Sequence, residues 1–147
     1  MQKFRFRLAT LLKMRHMEEE QAQLRLAEAM QQSFNEQEKL RRLTGKFADN
    51  INALQSSQLA CPTIAQLKIA YNYLDKLKEE IARQKKQVNY AEQCCRQRQK
   101  DLEQAVQARK VVEKLHEKRR REYLSKLGRE EQKLLDEMGA LFVARKQ

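Results

Sequence analysis

The chain has 147 residues, of which 35% are charged and 6% aromatic, with no Trp, three Gly, one Pro and a formal net charge of +11. At this length one domain is expected, yet so few large apolar residues cannot fill a globular core, and the composition belongs to a coiled coil or long helix pair. The mean hydropathy of −0.89 agrees, and a two-helix rod has no cleft in which a carboxylate could become catalytic, so the chain reads as non-enzymatic.

The N-terminal stretch MQKFRFRLATLLKMRH is basic and periodic, but it lacks a sustained apolar region followed by a small-residue cleavage site. No run of about 18 apolar residues follows it. A cytoplasmic, unprocessed protein is expected.

A first helix is expected over about 7–58. Stepping by three and four from Leu12 gives Leu12, Arg15, Glu19, Ala22, Leu26, Ala29, Ser33, Glu36, Leu40, Leu43, Phe47, Asn50, Leu54 and Ser57, a seam in which eight of fourteen positions are apolar. Gly45 lies inside this helix and costs roughly 1 kcal/mol relative to Ala. Pro62 is the only proline; it lacks a backbone donor and clashes with a preceding helical turn, which places the one break at about 59–63.

Thr63 is the expected N-cap of a second helix over about 64–145. Its seam runs Leu67, Tyr71, Leu74, Leu77, Ile81, Gln84, Val88, Ala91, Cys95, Arg98, Leu102, Ala105, Arg109 and Val112, with eleven of fourteen positions apolar. The fold class that follows is all-α: a long antiparallel two-helix coiled coil, one domain over 1–147, with the second helix overhanging. Polar seam positions such as Glu19, Ser33, Glu36 and Arg109 forgo apolar burial, which leaves a marginal coil, best packed where Leu40 to Leu54 meets Leu67 to Ile81.

Folding back at the proline sets residue i opposite roughly residue 121 − i, so that Leu12 faces the neighbourhood of Arg109. About thirty residues of the second helix then extend without a partner, some ~45 Å at ~1.5 Å per residue. That stretch still carries Tyr123, Leu124, Leu127, Leu134, Leu135, Met138, Leu141, Phe142 and Val143 at helical spacings, and an amphipathic helix with nothing on its apolar face needs a partner. Residues 83–121 hold 13 Lys and Arg against 5 Asp and Glu, a basic stripe that attracts an acidic surface. The run Lys118, Arg119, Arg120 and Arg121 surrounds the helix with cations.

Other chemistry is missing. His16 and His116 stand alone, without a zinc-type spacing or a cysteine nearby, so no metal and no cofactor is expected. Gly45-Lys46 resembles the end of a phosphate loop, but Leu40 replaces the first glycine and Phe47 the Ser or Thr, so nucleotide binding is rejected. Cys61 and the adjacent Cys94 and Cys95 form no C-x-x-C unit, and neighbouring helical side chains diverge too far for an easy disulfide; a reducing compartment and a structural role follow.

The opening Phe4-Arg5-Phe6-Arg7-Leu8, then Leu11-Leu12-Lys13-Met14-Arg15, Glu18-Glu19-Glu20-Gln21-Ala22 and Leu26-Ala27-Glu28-Ala29, resembles the start of the bacterial flagellar export protein FliJ family. Tyr71, Tyr73, Leu74, Leu77 and Ile81 are similar to that family's pattern after the turn, and the stretch from Glu130 to Glu137 is similar to its late charged signature. The resemblance covers nearly the whole chain.

It implies a non-enzymatic stalk and adaptor of the flagellar type III export apparatus, similar in form to the central stalk of rotary ATPases. The implied partners are the hexameric export ATPase, whose assembly and activity it would promote, the cytoplasmic domain of the export gate, and export chaperones. The implied location is the cytoplasm, peripheral to the inner face of the membrane at the flagellar base. By the same resemblance Phe4, Phe6, Leu8, Arg119, Arg120, Leu135, Met138 and Phe142 would meet the ATPase, and Leu43, Phe47, Tyr73, Leu77 and Gln84 the gate. No small-molecule substrate is expected.

Two other classes compete. A basic coil could bind nucleic acid, but beyond Phe4-Arg5-Phe6-Arg7 no aromatic residues alternate with arginines as stacking platforms and no reading module is present. A structural scaffold could pair its heptads between chains, with the polar seam positions fixing register.

Overall fold

The computed structural model describes residues 3–58 and 62–146. Two helices, α1 (Ala9–Gln58) and α2 (Ile64–Arg145), account for nearly all of them, and they pack against each other as an all-α helical hairpin. The expected turn at 59–63 lies largely outside the described residues, as does Cys61.

The start of α2 is fixed locally. The Gln66 backbone N–H donates to Thr63 Oγ1 at 3.4 Å and the Thr63 N–H donates to Gln66 Oε1 at 3.2 Å. This reciprocal pair satisfies two of the donors that a helix start leaves open. At the other end α1 begins at Ala9 rather than near residue 7: residues 3–6 are non-helical and Arg7 and Leu8 form a turn.

By density of contacts the chain divides into two compact units, Gln21–Leu102 and the pair of segments Met1–Glu20 with Glu103–Gln147. In the first unit Leu74, Leu77, Val88 and Ala91 of α2 are buried, together with Ser33 of α1. Leu40, Leu43, Phe47 and Leu54 are only half-buried. The tightest packing therefore reaches farther from the proline than the expected stretch of Leu40 to Leu54 against Leu67 to Ile81. Small side chains at Ser33 and Ala91 let the backbones approach, whereas larger ones leave part of their surface over the edge of the seam.

All fourteen seam positions expected on α1 are buried or half-buried. On α2 two of them are not. Tyr71 is 51% exposed and Ala70 takes its place between Leu67 and Leu74, while Arg98 is exposed and turns to Asp101 at 3.4 Å.

Glu19, Glu36, Gln84 and Arg109 of the seam are paired across it rather than wasted. In the Gln21–Leu102 unit Gln84 Nε2 donates to the Glu36 carbonyl oxygen at 2.9 Å and to its carboxylate at 2.5 Å, and Gln37 Nε2 donates to Glu92 at 3.3 Å. In the other unit Arg109 donates through Nε to the Glu19 carboxylate and through a terminal nitrogen to Glu113 at 2.6 Å, beside buried Val112. His16 Nε2 lies 3.7 Å from the same Glu113 carboxylate.

Arg109 thus meets Glu19 and not Leu12, one heptad from the expected register, whereas Gln84 meets the Glu36 carbonyl where the fold-back puts it. Helical side chains lean toward the N-terminus of their own helix. In an antiparallel pair, two long side chains from staggered positions therefore converge, while a backbone carbonyl reports the level of the backbones themselves.

A candidate partner-binding end

The segment before α1 packs on α2 within the unit formed by Met1–Glu20 and Glu103–Gln147. The Phe4 and Phe6 rings both meet the His116 imidazole edge-on, with centroids 5.7 and 4.7 Å away, and Phe4 also lies 5.4 Å from Tyr123. Residues two apart in an extended chain point to the same face, so the non-helical stretch of residues 3–6, ahead of the turn at Arg7 and Leu8, can present both rings to one imidazole. His16 and His116 looked isolated in the sequence, and neither is: His16 faces Glu113 and His116 sits under two rings.

This segment shortens the expected overhang. Instead of about thirty residues beginning near 115, the uncovered part is 128–146, the end of α2 and the residue after it, where every residue is exposed. Leu134, Leu135, Met138, Leu141 and Phe142 lie there, with Leu135 64% and Phe142 68% exposed. Their spacings of one, three, three and one put them along one side of the helix. Lys146 holds its ammonium 5.7 Å from the centre of the Phe142 ring.

Between the N-terminal segment and α2 is an open cleft of about 530 Å³, walled by Phe4, Phe6, Leu115 and Tyr123 and edged by Arg5, Arg7, Arg119 and Lys126 against Glu122. Four cations to one carboxylate give this apolar cleft a positive rim. Of the residues implied for ATPase contact, Phe4, Phe6, Leu8 and Arg119 come together at the cleft, Arg120 is exposed, and Leu135, Met138 and Phe142 lie in the uncovered segment.

The residues implied for gate contact fall in the Gln21–Leu102 unit and divide differently. Tyr73 is exposed, whereas Leu77 is 3% exposed and Gln84 is occupied with Glu36. Leu43 and Phe47 are half-buried in the seam.

Two groups are electrostatically tuned, and both belong to the seam. The hydrogen bond from Gln84, aided by Lys39, holds the Glu36 carboxyl below the ordinary carboxylate range. Hydrogen bonds to Glu113 and then Glu19 hold the Arg109 guanidinium more firmly protonated than usual. Cys94 and Cys95 are free and half-buried. Among the described residues no group of His, Cys, Asp and Glu could hold a metal ion, and no helix is long and apolar enough to cross a membrane.

A helical hairpin whose one uncovered helix end sets an apolar stripe beside a cationic cleft defines a coiled-coil interaction module. The family described as Flagellar FliJ protein matches residues 4–147, from the first aromatic of the N-terminal segment to the last residue. The chain belongs to this family, a non-catalytic component of flagellar export, and its role lies in flagellar biogenesis and export. No curated protein and no solved structure matched.

Proposed function

We propose that the chain is a stalk and adaptor of the flagellar export apparatus. The end of α2 over 128–146, with the neighbouring cationic cleft, binds the hexameric export ATPase and favours its assembled, active state. The exposed face around Tyr73 contacts the cytoplasmic domain of the export gate, and export chaperones are handled on the same coil. The protein works in the cytoplasm, held at the membrane through the apparatus and not by a span of its own.

The observation that carries this reading is the uncovered apolar stripe of Leu134, Leu135, Met138, Leu141 and Phe142. Leaving these side chains in water gives up about 1.5–3 kcal/mol for each large residue that a partner could bury. A stripe of that kind on a charged helix fits a helix-in-groove contact, and the rim of Arg5, Arg7, Arg119 and Lys126 suits an acidic wall around it.

The test is ATP hydrolysis by the export ATPase of the same source, with and without the chain, alongside sizing for hexamers. Stimulation with ring formation is expected from the full chain. Removing residues 128–147 should abolish stimulation while far-UV circular dichroism still reports a helical hairpin. A truncated chain that stimulates as well as the full one would overturn the role given to this helix end.

A further inference from the structure

We infer that the two polar layers in the seam act as a pairing code: they direct α1 to α2 and turn away the pairing of like helices from two copies. The layers are Glu19 with Arg109 and Glu113 in one unit, and Glu36 with Gln84 in the other. Each places an acceptor on α1 and a donor on α2, so the seam carriers differ in kind between the helices. This inference does not depend on the function proposed above.

The alternative that the heptads otherwise permit is pairing of like helices from two copies. In a parallel pair of α1 helices Glu19 would face Glu19 and Glu36 would face Glu36, and in a parallel pair of α2 helices Arg109 would face Arg109. Like charges in a partly buried seam repel, and removing them from water leaves each one without its donor or acceptor. Antiparallel α1 helices overlapping along their full length fare no better, because residue 19 then lies near Ala48 and residue 36 near Gln31, and neither carries a positive charge.

The hairpin satisfies both layers. Arg109 has 20% and Glu19 15% of its side chain accessible, so both are withdrawn from bulk screening far enough for a mismatch to matter. Exposed ion pairs elsewhere, such as Arg41 with Glu38 and Arg121 with Glu117, join residues three or four apart on one helix and cannot distinguish one partner helix from another. A seam position given to a polar residue fixes register and oligomeric state at the expense of stability.

The experiment uses full-length chains in which C61S, C94S and C95S remove the native thiols and Q31C supplies a single dye site on the exposed side of α1. Donor- and acceptor-labelled chains are mixed after unfolding and refolding together, and energy transfer between them reports α1 of one copy beside α1 of another. Antiparallel association through residues 128–146 would leave each dye about 60 Å or more along the helix from the contact, on opposite sides of it, and silent.

The natural seam should give background transfer, and so should the charge-exchanged variant E19R/R109E. The variant E19L/E36L/Q84L/R109L, with both layers apolar, should melt at a higher temperature yet show transfer several-fold above background. Transfer in the natural seam, or its absence in the apolar variant, overturns the inference. Should the apolar variant fail to fold, the comparison of E19R alone with E19R/R109E decides: the single exchange should lower the melting temperature and the double should restore it, and failure to restore overturns the pairing code.

Discussion

Glu36 illustrates how much a single seam residue depends on its partner across the helix pair. Its carboxylate accepts a hydrogen bond from Gln84 and another from Lys39 at 3.2 Å, and both hold its pKa below the usual value. A carboxyl depressed in the folded state contributes stability that is fully present above its unfolded pKa, near 4.3, and is lost as pH falls through the lower folded value. The variant E36Q keeps the shape and a hydrogen-bonding oxygen but has no charge to titrate. Melting temperatures measured from neutral pH downward should therefore show the natural chain above E36Q at neutrality, with the two converging once the pH lies below the carboxylate range. Parallel curves would mean that the Gln84 contact does not favour the ionised form. Arg109 contributes no such window, because its pKa is raised and it is protonated at every accessible pH.

At the scale of elements, α2 runs 82 residues without a proline and its start depends on a local device. Thr63 and Gln66 exchange hydrogen bonds, and loss of such a cap costs about 1 kcal/mol. In so long a helix the cost is local: T63A should speed hydrogen exchange of the Gln66 and Leu67 amides about fivefold while amides near Val88 stay unchanged. T63S, which keeps the hydroxyl, should exchange like the natural chain. Unchanged exchange in T63A would show that the first turn is held by packing alone.

The seam itself was legible, since a heptad repeat gives the inward face of a helix whatever lies opposite; every α1 position so picked is at least half-buried. Cross-seam partners were not legible. They depend on how far long side chains lean along each helix, which is why Arg109 meets Glu19 and not the residue level with it. The N-terminal segment was also opaque as structure: residues 3–8 carry no helical repeat, and only their aromatic pair Phe4 and Phe6 hints that they pack. Half of the candidate site thus rests on residues whose position no helical repeat encodes.

For the whole molecule, burial and exposure separate the residues that hold the hairpin from those available to partners, and the two sets can be tested against each other. Leu77 is 3% exposed in the α2 core, and truncating such a side chain leaves a cavity that costs about 2–5 kcal/mol. Leu135, Met138 and Phe142 each leave more than half of their surface in water, so replacing all three by Ala removes almost no internal packing and slightly favours the helix, since Ala has the highest helix propensity. L77A should lower the melting temperature markedly and, below that temperature, still stimulate the export ATPase. L135A/M138A/F142A should melt at or slightly above the natural temperature and lose stimulation. If the triple variant melts early instead, the stripe packs against something within the chain and is not the free docking face proposed for it; if it melts normally and stimulates normally, the ATPase is engaged elsewhere, with the cationic cleft around Arg5, Arg7, Arg119 and Lys126 the next surface to alter.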